Sequence, residues 1–240
     1  MLYRYKIKGI IFDYGATIDT NGMHWAEVLW DAYVKNGVPV DKSQFREAYV
    51  YAERYLALHP VIRPWFTFKD VLLSKTEIQL KWLVEQFFLP KDTDSLAYSL
   101  AISNQCYNFA TVVLEKARPV LKKLASLYPL ALVSNFYGNI ETVLKDFDLS
   151  VYFTDIIESA AVGIRKPDPA IFALGAKVLK LNPEEIVVIG DSYKKDILPA
   201  ASIGCQTIWL RGVGWESDNS PGESASAVID DFGTLWEIFA

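Results

Sequence analysis

The chain has 240 residues but only two cysteines, Cys106 and Cys205, far apart in sequence. That scarcity excludes a cysteine metal motif and makes a stapling disulfide framework an unsuitable reading. Long apolar runs are also missing. No stretch approaches the ~20 residues a membrane-spanning helix needs, and the opening Met1-Leu2-Tyr3-Arg4-Tyr5-Lys6 lacks the layout of a secretory signal. Positive charge is in deficit, with 24 Lys and Arg against 29 Asp and Glu, a net charge of −5 and no basic stripe. Nucleic acid is therefore a poor partner. Internal repeats and low-complexity tracts are absent, and nothing marks an oligomeric state. What these absences leave is a cytoplasmic, soluble chain acting on small molecules or protein partners, with neither a membrane nor a nucleic acid as partner.

The residues present are sufficient for a full core: 51% are hydrophobic and 14% aromatic. Six short apolar runs have the compact, β-branched look of buried parallel strands: 7–12, 130–133, 153–157, 186–189, 207–210 and 227–229. Amphipathic stretches alternate with them from about residue 112 onward. One is Pro119 to Leu127; another follows Asp168 as N-cap, with Pro169 at the first helical position. Strand–helix alternation of this kind predicts a Rossmann-like α/β fold, a parallel sheet flanked by helices.

Between about 20 and 110 the pattern is helix after helix. A helix over 24–36 is stopped by Gly37 and Pro39, and Asp41 with Gln44 reads as a capping box opening a second. Further helices are expected over about 70–88 and 93–114. The expected division is thus an α/β core of residues 1–18 and 112–240, interrupted by an all-helical cap of residues 19–111. Both histidines and about half the aromatic residues lie in this insert. A chain that leaves a sheet after its first strand emerges at that strand's C-terminal end, where open α/β sheets bind ligands. The insert is therefore placed to act as a lid.

Four polar patches follow predicted strands: Asp13-Tyr14-Gly15-Ala16-Thr17 after the first, Ser134-Asn135 after the second, Lys166-Pro167-Asp168-Pro169 further on, and Gly190-Asp191-Ser192 through Asp196 after the fourth. Singly, each reads as an ordinary turn or a solvated loop. Together they put a carboxylate, a hydroxyl, an ammonium and a second pair of carboxylates on one sheet edge. A carboxylate ending an apolar strand is costly to bury without compensation.

This order resembles the haloacid dehalogenase-like hydrolases over nearly the whole chain. Asp13, Gly15 and Thr17 match their first motif with one departure, Ser134 the second, Lys166 the third, and Asp191 with Asp196 the fourth. The helical insert is similar to the cap of one large branch of the family. The resemblance implies a phosphatase-type hydrolase, with Asp13 as nucleophile and Ser134 and Lys166 as its catalytic companions. Thr17, Ser134, Asn135 and Lys166 are then expected at the phosphorylated substrate, and a magnesium ion at Asp13, Asp191 and the backbone carbonyl of Gly15, with Asp196 behind them, supporting the metal's waters or orienting Lys166. Such a cation has a clear purpose. A carboxylate attacking a phosphate ester is anion meeting anion, a repulsion of about 4 kcal/mol for unit charges 4 Å apart at an effective dielectric of 20.

The departure is Gly15, where phosphatases of the family carry the Asp that protonates the leaving oxygen. Asp19 and His24 lie just downstream and are the candidates to replace it, although both read more readily as hinge or packing residues. Two alternatives follow from the same residues: attack on carbon with halide release, which needs no metal, and a phosphate-ligand binding protein without turnover. Specificity is expected from the cap, where the proline-stiffened loop 59–66 carries Arg63 and Trp65. That loop reads first as packing for the cap itself.

Overall fold

The structure is a computed structural model and describes residues 1–214 and 222–239. Its centre is a fully parallel sheet of β1 (Gly9–Phe12), β2 (Leu130–Ser134), β3 (Asp155–Glu158), β4 (Ile186–Gly190), β5 (Gln206–Leu210) and β6 (Ala227–Ile229), in the order β3-β2-β1-β4-β5-β6. Each of the six predicted strands is present, with ends displaced by at most two residues. Alternation along the strands explains why the sheet is covered twice. Ile10, Phe12, Leu130, Leu132, Val187 and Ile189 join one apolar cluster, while Ile11, Ala131, Val133, Ile186 and Val188 join another.

The helices are α1 (Trp25–Lys35), α2 (Lys42–Leu58), α3 (Phe68–Glu85), α4 (Ser95–Ala125), α5 (Ile140–Asp146), α6 (Ser159–Val162), α7 (Ala170–Leu179), α8 (Leu198–Ser202) and α9 (Leu235–Phe239). α7 covers the second face of the sheet with Ile171, Phe172 and Ala176. It can lie so close because position 175 is glycine: a Cβ there would come within 2.7 Å of Ile11 Cδ1 and 3.1 Å of Val133 Cγ2. α7 begins one residue later than predicted. Pro169 occupies the cap position, and the Asp168 carboxylate accepts a hydrogen bond from Ala170 N at 2.9 Å.

α1 to α3 and the first half of α4 form the helical insert between β1 and β2. The Asp41–Gln44 capping box opens α2 as expected. A second box, Thr67 with Asp70, starts α3 two residues ahead of the predicted start. The larger departure is α4. Two helices were predicted, over 93–114 and 119–127, yet one 31-residue helix runs through Pro119. A proline inside a helix costs about 3 kcal/mol. Here the apolar stripe Cys106, Ala110, Leu114, Ala117, Leu121 and Leu124 continues unbroken through it, all buried, and the packing of that stripe outweighs the local penalty. The division expected at 111/112 therefore falls inside a helix shared by insert and core.

The loop 59–66 docks on the start of α5. Asn139 Nδ2 donates to Phe66 O at 2.8 Å and Thr142 Oγ1 to Pro64 O at 2.6 Å. Ile62 packs with Leu56 and Val71, and Phe66 against them, while Trp65 is exposed. Among the described residues no helix is long and apolar enough to cross a membrane.

Candidate active site

The insert and the C-terminal edge of the sheet enclose a cavity of about 1110 Å³. Asp13, Ser134, Lys166 and Asp191 all line it, each delivered by the end of a strand or the loop beyond one. Asp13 continues β1: its N–H donates to Ile189 O at 2.9 Å, so the nucleophile candidate is fixed by the β1–β4 ladder. Just past it, Ala16 adopts a left-handed φ of 67°, a conformation that costs a non-glycine residue energy and is tolerated where the surroundings enforce it. The enforcing group is Asp19, whose Oδ1 accepts from Ala16 N at 2.7 Å and whose Oδ2 accepts from Trp25 Nε1 at 2.9 Å.

Both oxygens of Asp13 have partners. Lys166 Nζ donates to Oδ1 at 2.5 Å, and Thr17 Oγ1 lies 3.0 Å from Oδ2. The same lysine donates to Asp196 Oδ1 at 2.7 Å. Its backbone is clamped by the Asn135 side chain, which accepts from Lys166 N at 2.9 Å and donates to Lys166 O at 3.0 Å. Asn135, named from sequence as a substrate contact, thus has its amide engaged in positioning the lysine. Thr17 is fully buried beneath the carboxylates. Its hydroxyl accepts from Asp191 N at 3.0 Å and has Asp13 and Asp191 as alternative acceptors.

Carboxylate oxygens of Asp13, Asp191 and Asp196 lie within 4.8 Å of one another. Burial, with Asp13 and Asp196 adding to it, pushes the Asp191 carboxyl well above the carboxylate range. Asp196 is pushed up to about 6, mainly by burial, with Asp13 adding and Lys166 opposing. Burial would lower Lys166, but Asp13 and Asp196 outweigh it and hold the ammonium above its ordinary value. Two buried acids, the half-buried Asp191 and one buried amine form a cluster with excess negative charge, and the donors are hard oxygens. That composition fits a divalent cation such as magnesium.

The cluster leaves a gap where sequence places the departure. A Cβ on Gly15 would meet no atom within 4 Å. Asp19 does not fill the gap: it is sealed from solvent and pushed up to about 8 by burial. His24 does line the cavity, but as the N-cap of α1 its Nδ1 accepts from Ala26 N at 3.1 Å. Burial, with Lys195 adding, pushes its imidazole down to about 4, so it is neutral at pH 7. Tyr14 points away into the interior, edge-on to Phe68 and Phe136.

The insert contributes cavity residues that the sequence reading did not single out. Lys75 Nζ lies 2.6 Å from Glu53 Oε1, and Tyr137 OH donates to Glu53 Oε2 at 3.0 Å. The signal was a charge in an apolar stripe: Lys75 sits among Phe68, Val71, Leu72, Thr76 and Leu80, all on the buried face of α3. Arg63 and Trp65 are not on the cavity wall.

The model of the haloacid dehalogenase-like hydrolases matches residues 7–204. A glyceraldehyde 3-phosphate phosphatase of Pyrococcus furiosus is 26% identical over 97% of this chain and 93% of its own length. A haloacid dehalogenase-like hydrolase domain-containing protein 3 of Bos taurus is 35% identical over 35% of this chain and 33% of its own length, and a phosphoglycolate phosphatase of Vibrio cholerae is 30% identical over 48% of this chain and 58% of its own length. In fold, the chain is similar to a dehalogenase with an intermediate complex, with a TM-score of 0.65, 17% identity and 98% of both chains covered. It is also similar to a magnesium-bound hydrolase of Bacillus subtilis, with a TM-score of 0.60, 17% identity and 97% of this chain and 98% of the other covered.

Proposed function

The chain belongs to the haloacid dehalogenase-like hydrolases, and on that premise we propose that it is a magnesium-dependent phosphatase of a small phosphorylated metabolite, with Asp13 as the nucleophile. The observation that carries the reading is the cluster of Asp13, Asp191 and Asp196 carboxylates on the wall of a cavity, with the Lys166 ammonium paired to Asp13 and Asp196. The glyceraldehyde 3-phosphate phosphatase among its relatives supports a small phosphorylated substrate. Both cysteines are buried and unpaired, which supports a cytoplasmic setting.

In this reading an Asp13 oxygen attacks phosphorus and the ester P–O bond breaks. The phosphoryl group is left on the Asp13 carboxylate, and water then displaces it as inorganic phosphate. Lys166 holds Asp13 at a fixed angle and neutralises the phosphoryl oxygens as they approach. Ser134, at the end of β2 on the cavity wall, donates to one of those oxygens. Thr17 and Asn135 act one step back, the first on Asp13 and Asp191 and the second on Lys166. When bound, magnesium would be held by Asp13, Asp191 and the Gly15 carbonyl, with Asp196 behind, and would supply the positive charge that offsets anion–anion repulsion. With glycine at position 15, the leaving oxygen takes its proton from water in the cavity. Substrates with easily displaced leaving groups are then turned over best, because side-chain acid catalysis is typically worth ~10²–10⁴-fold.

The test is release of inorganic phosphate from p-nitrophenyl phosphate and a panel of sugar, nucleotide and short-chain phosphates, with and without magnesium. Magnesium-dependent release that disappears in Asp13→Asn is expected. Halide release from haloacids without magnesium would support attack on carbon instead.

A further inference from the structure

The cavity that holds Asp13 also holds a second charged centre, built mainly by the helical insert. Lys75 comes from α3, Glu53 from α2, and Tyr137 from the core loop three residues past Ser134. Lys75 Nζ is 2.6 Å from Glu53 Oε1, Tyr137 OH donates to Glu53 Oε2 at 3.0 Å, and all three residues line the same cavity as the acid cluster. The Lys75 side chain is 10% exposed and that of Glu53 34%, so the pair is held in the wall with one edge open to the cavity. Burial alone would raise the Glu53 carboxyl, but Lys75 outweighs it and holds the group below its ordinary value. Burial would lower Lys75, but Glu53 outweighs it and holds the ammonium well above its ordinary value. Both therefore stay ionised through the neutral range, and their charges cancel.

A wall of this kind differs from a bare lysine. A substrate carboxylate reaching Lys75 would also meet Glu53, and the attraction and repulsion largely cancel in a partly desolvated site. A hydroxyl can accept from the ammonium and donate to the carboxylate, satisfying both at once. The Lys75 ammonium has three N–H donors and, besides Glu53, lies 5.8 Å from the Tyr49 ring and 5.4 Å from the Tyr137 ring, while Trp25, Tyr49 and Phe68 line the same cavity and suit the carbon skeleton between the ends. The remaining basic side chains, Arg165, Lys194, Lys195 and Arg211, are solvent-exposed at the mouth, where screening is strong.

We infer that Glu53 and Lys75 form the subsite for the end of the substrate away from phosphorus, and that this end is uncharged and hydroxylated, so that the substrate class is phosphorylated polyols and hydroxy-carbonyl compounds rather than phosphorylated acids. This inference rests on the phosphatase reading.

The experiment compares kcat/KM for glycerol 3-phosphate and 3-phosphoglycerate, which share a carbon count and differ in a terminal alcohol or carboxylate. The wild-type chain is expected to favour glycerol 3-phosphate by roughly tenfold or more. Glu53→Gln leaves Lys75 unmatched, and the ratio falls toward or below unity. Lys75→Met leaves Glu53 unmatched, and the ratio rises. If Lys75→Met does not fold, the doubly neutral Glu53→Gln/Lys75→Gln chain takes its place, with a ratio restored toward wild type. A purely structural role for the pair would lower both esters alike and leave the ratio unmoved, overturning the inference. A wild-type ratio at or below one overturns it too. If no phosphate ester of any kind is hydrolysed, the phosphatase reading itself fails, an outcome distinct from these.

Discussion

Gly190 and Asp196 are built around one another: a Cβ on Gly190 would lie 2.5 Å from the Asp196 Cβ and 2.7 Å from its Oδ2. The chain beyond β4 folds back through a single π-turn, Tyr193–Ile197, and lays the Asp196 carboxylate over the glycine. There Oδ2 accepts from Ser192 N at 3.0 Å and Oδ1 from Lys166 at 2.7 Å. Gly190→Ala must push Asp196 off the lysine. A loss of about 1–3 kcal/mol is expected from the overlap, read by denaturant unfolding, together with at least a tenfold fall in magnesium-dependent phosphate release. Unchanged turnover would show that Asp196 does not matter to Lys166.

Lys166 is the single ammonium between Asp13 and Asp196, 4% exposed. Lys166→Met leaves those carboxylates buried without it, and breaking a buried pair from one side costs about 3–5 kcal/mol. The loss should be smaller with magnesium present, because the cation supplies part of the missing charge. Thermal unfolding of the variant with and without magnesium checks both statements.

Gly15→Asp is sterically open, since no atom stands within 4 Å of the added Cβ. If the leaving oxygen lacks a side-chain acid, the substitution should raise kcat on alkyl phosphates, by up to ~10²–10⁴-fold if the new carboxyl is well placed. The gain should be smaller on p-nitrophenyl phosphate, whose leaving group needs little protonation. Equal effects on both esters would contradict this account of Gly15.

His24 gives the fold a pH dependence of known sign. Its folded value is pushed down from 6.5 to about 4, mainly by burial, so between those values the unfolded chain binds more protons than the native one. Its contribution to stability therefore rises with pH from about 4 to about 6.5 and is lost in acid. His24→Asn keeps an N-cap acceptor for α1 and removes the titration. Relative to wild type, the variant should gain stability on the acid side only, as read by urea midpoints from pH 4 to 7.

Much of this architecture is legible in the sequence because buried parallel strands are short apolar runs and each is followed directly by its polar patch. Asp13, Ser134 and Asp191 could be placed on one edge for that reason. The continuity of α4 through Pro119 could not, because it depends on a stripe from Cys106 to Leu124 whose burial exists only after the sheet has formed. The clamp of Asn135 on Lys166 and the Glu53–Lys75–Tyr137 centre were hidden for a related reason. Each joins segments far apart in the chain, and residue type alone does not tell a positioning amide from a ligand-binding one.

The central claim is that phosphorus passes through a bond to Asp13, and rapid acid quench during turnover of p-nitrophenyl phosphate with magnesium, followed by peptide mass mapping, tests it most directly. The account predicts a transient mass increase of one phosphoryl group on the peptide holding Asp13, absent in Asp13→Asn. Phosphate released at full rate while that peptide stays unmodified at every quench time would contradict it.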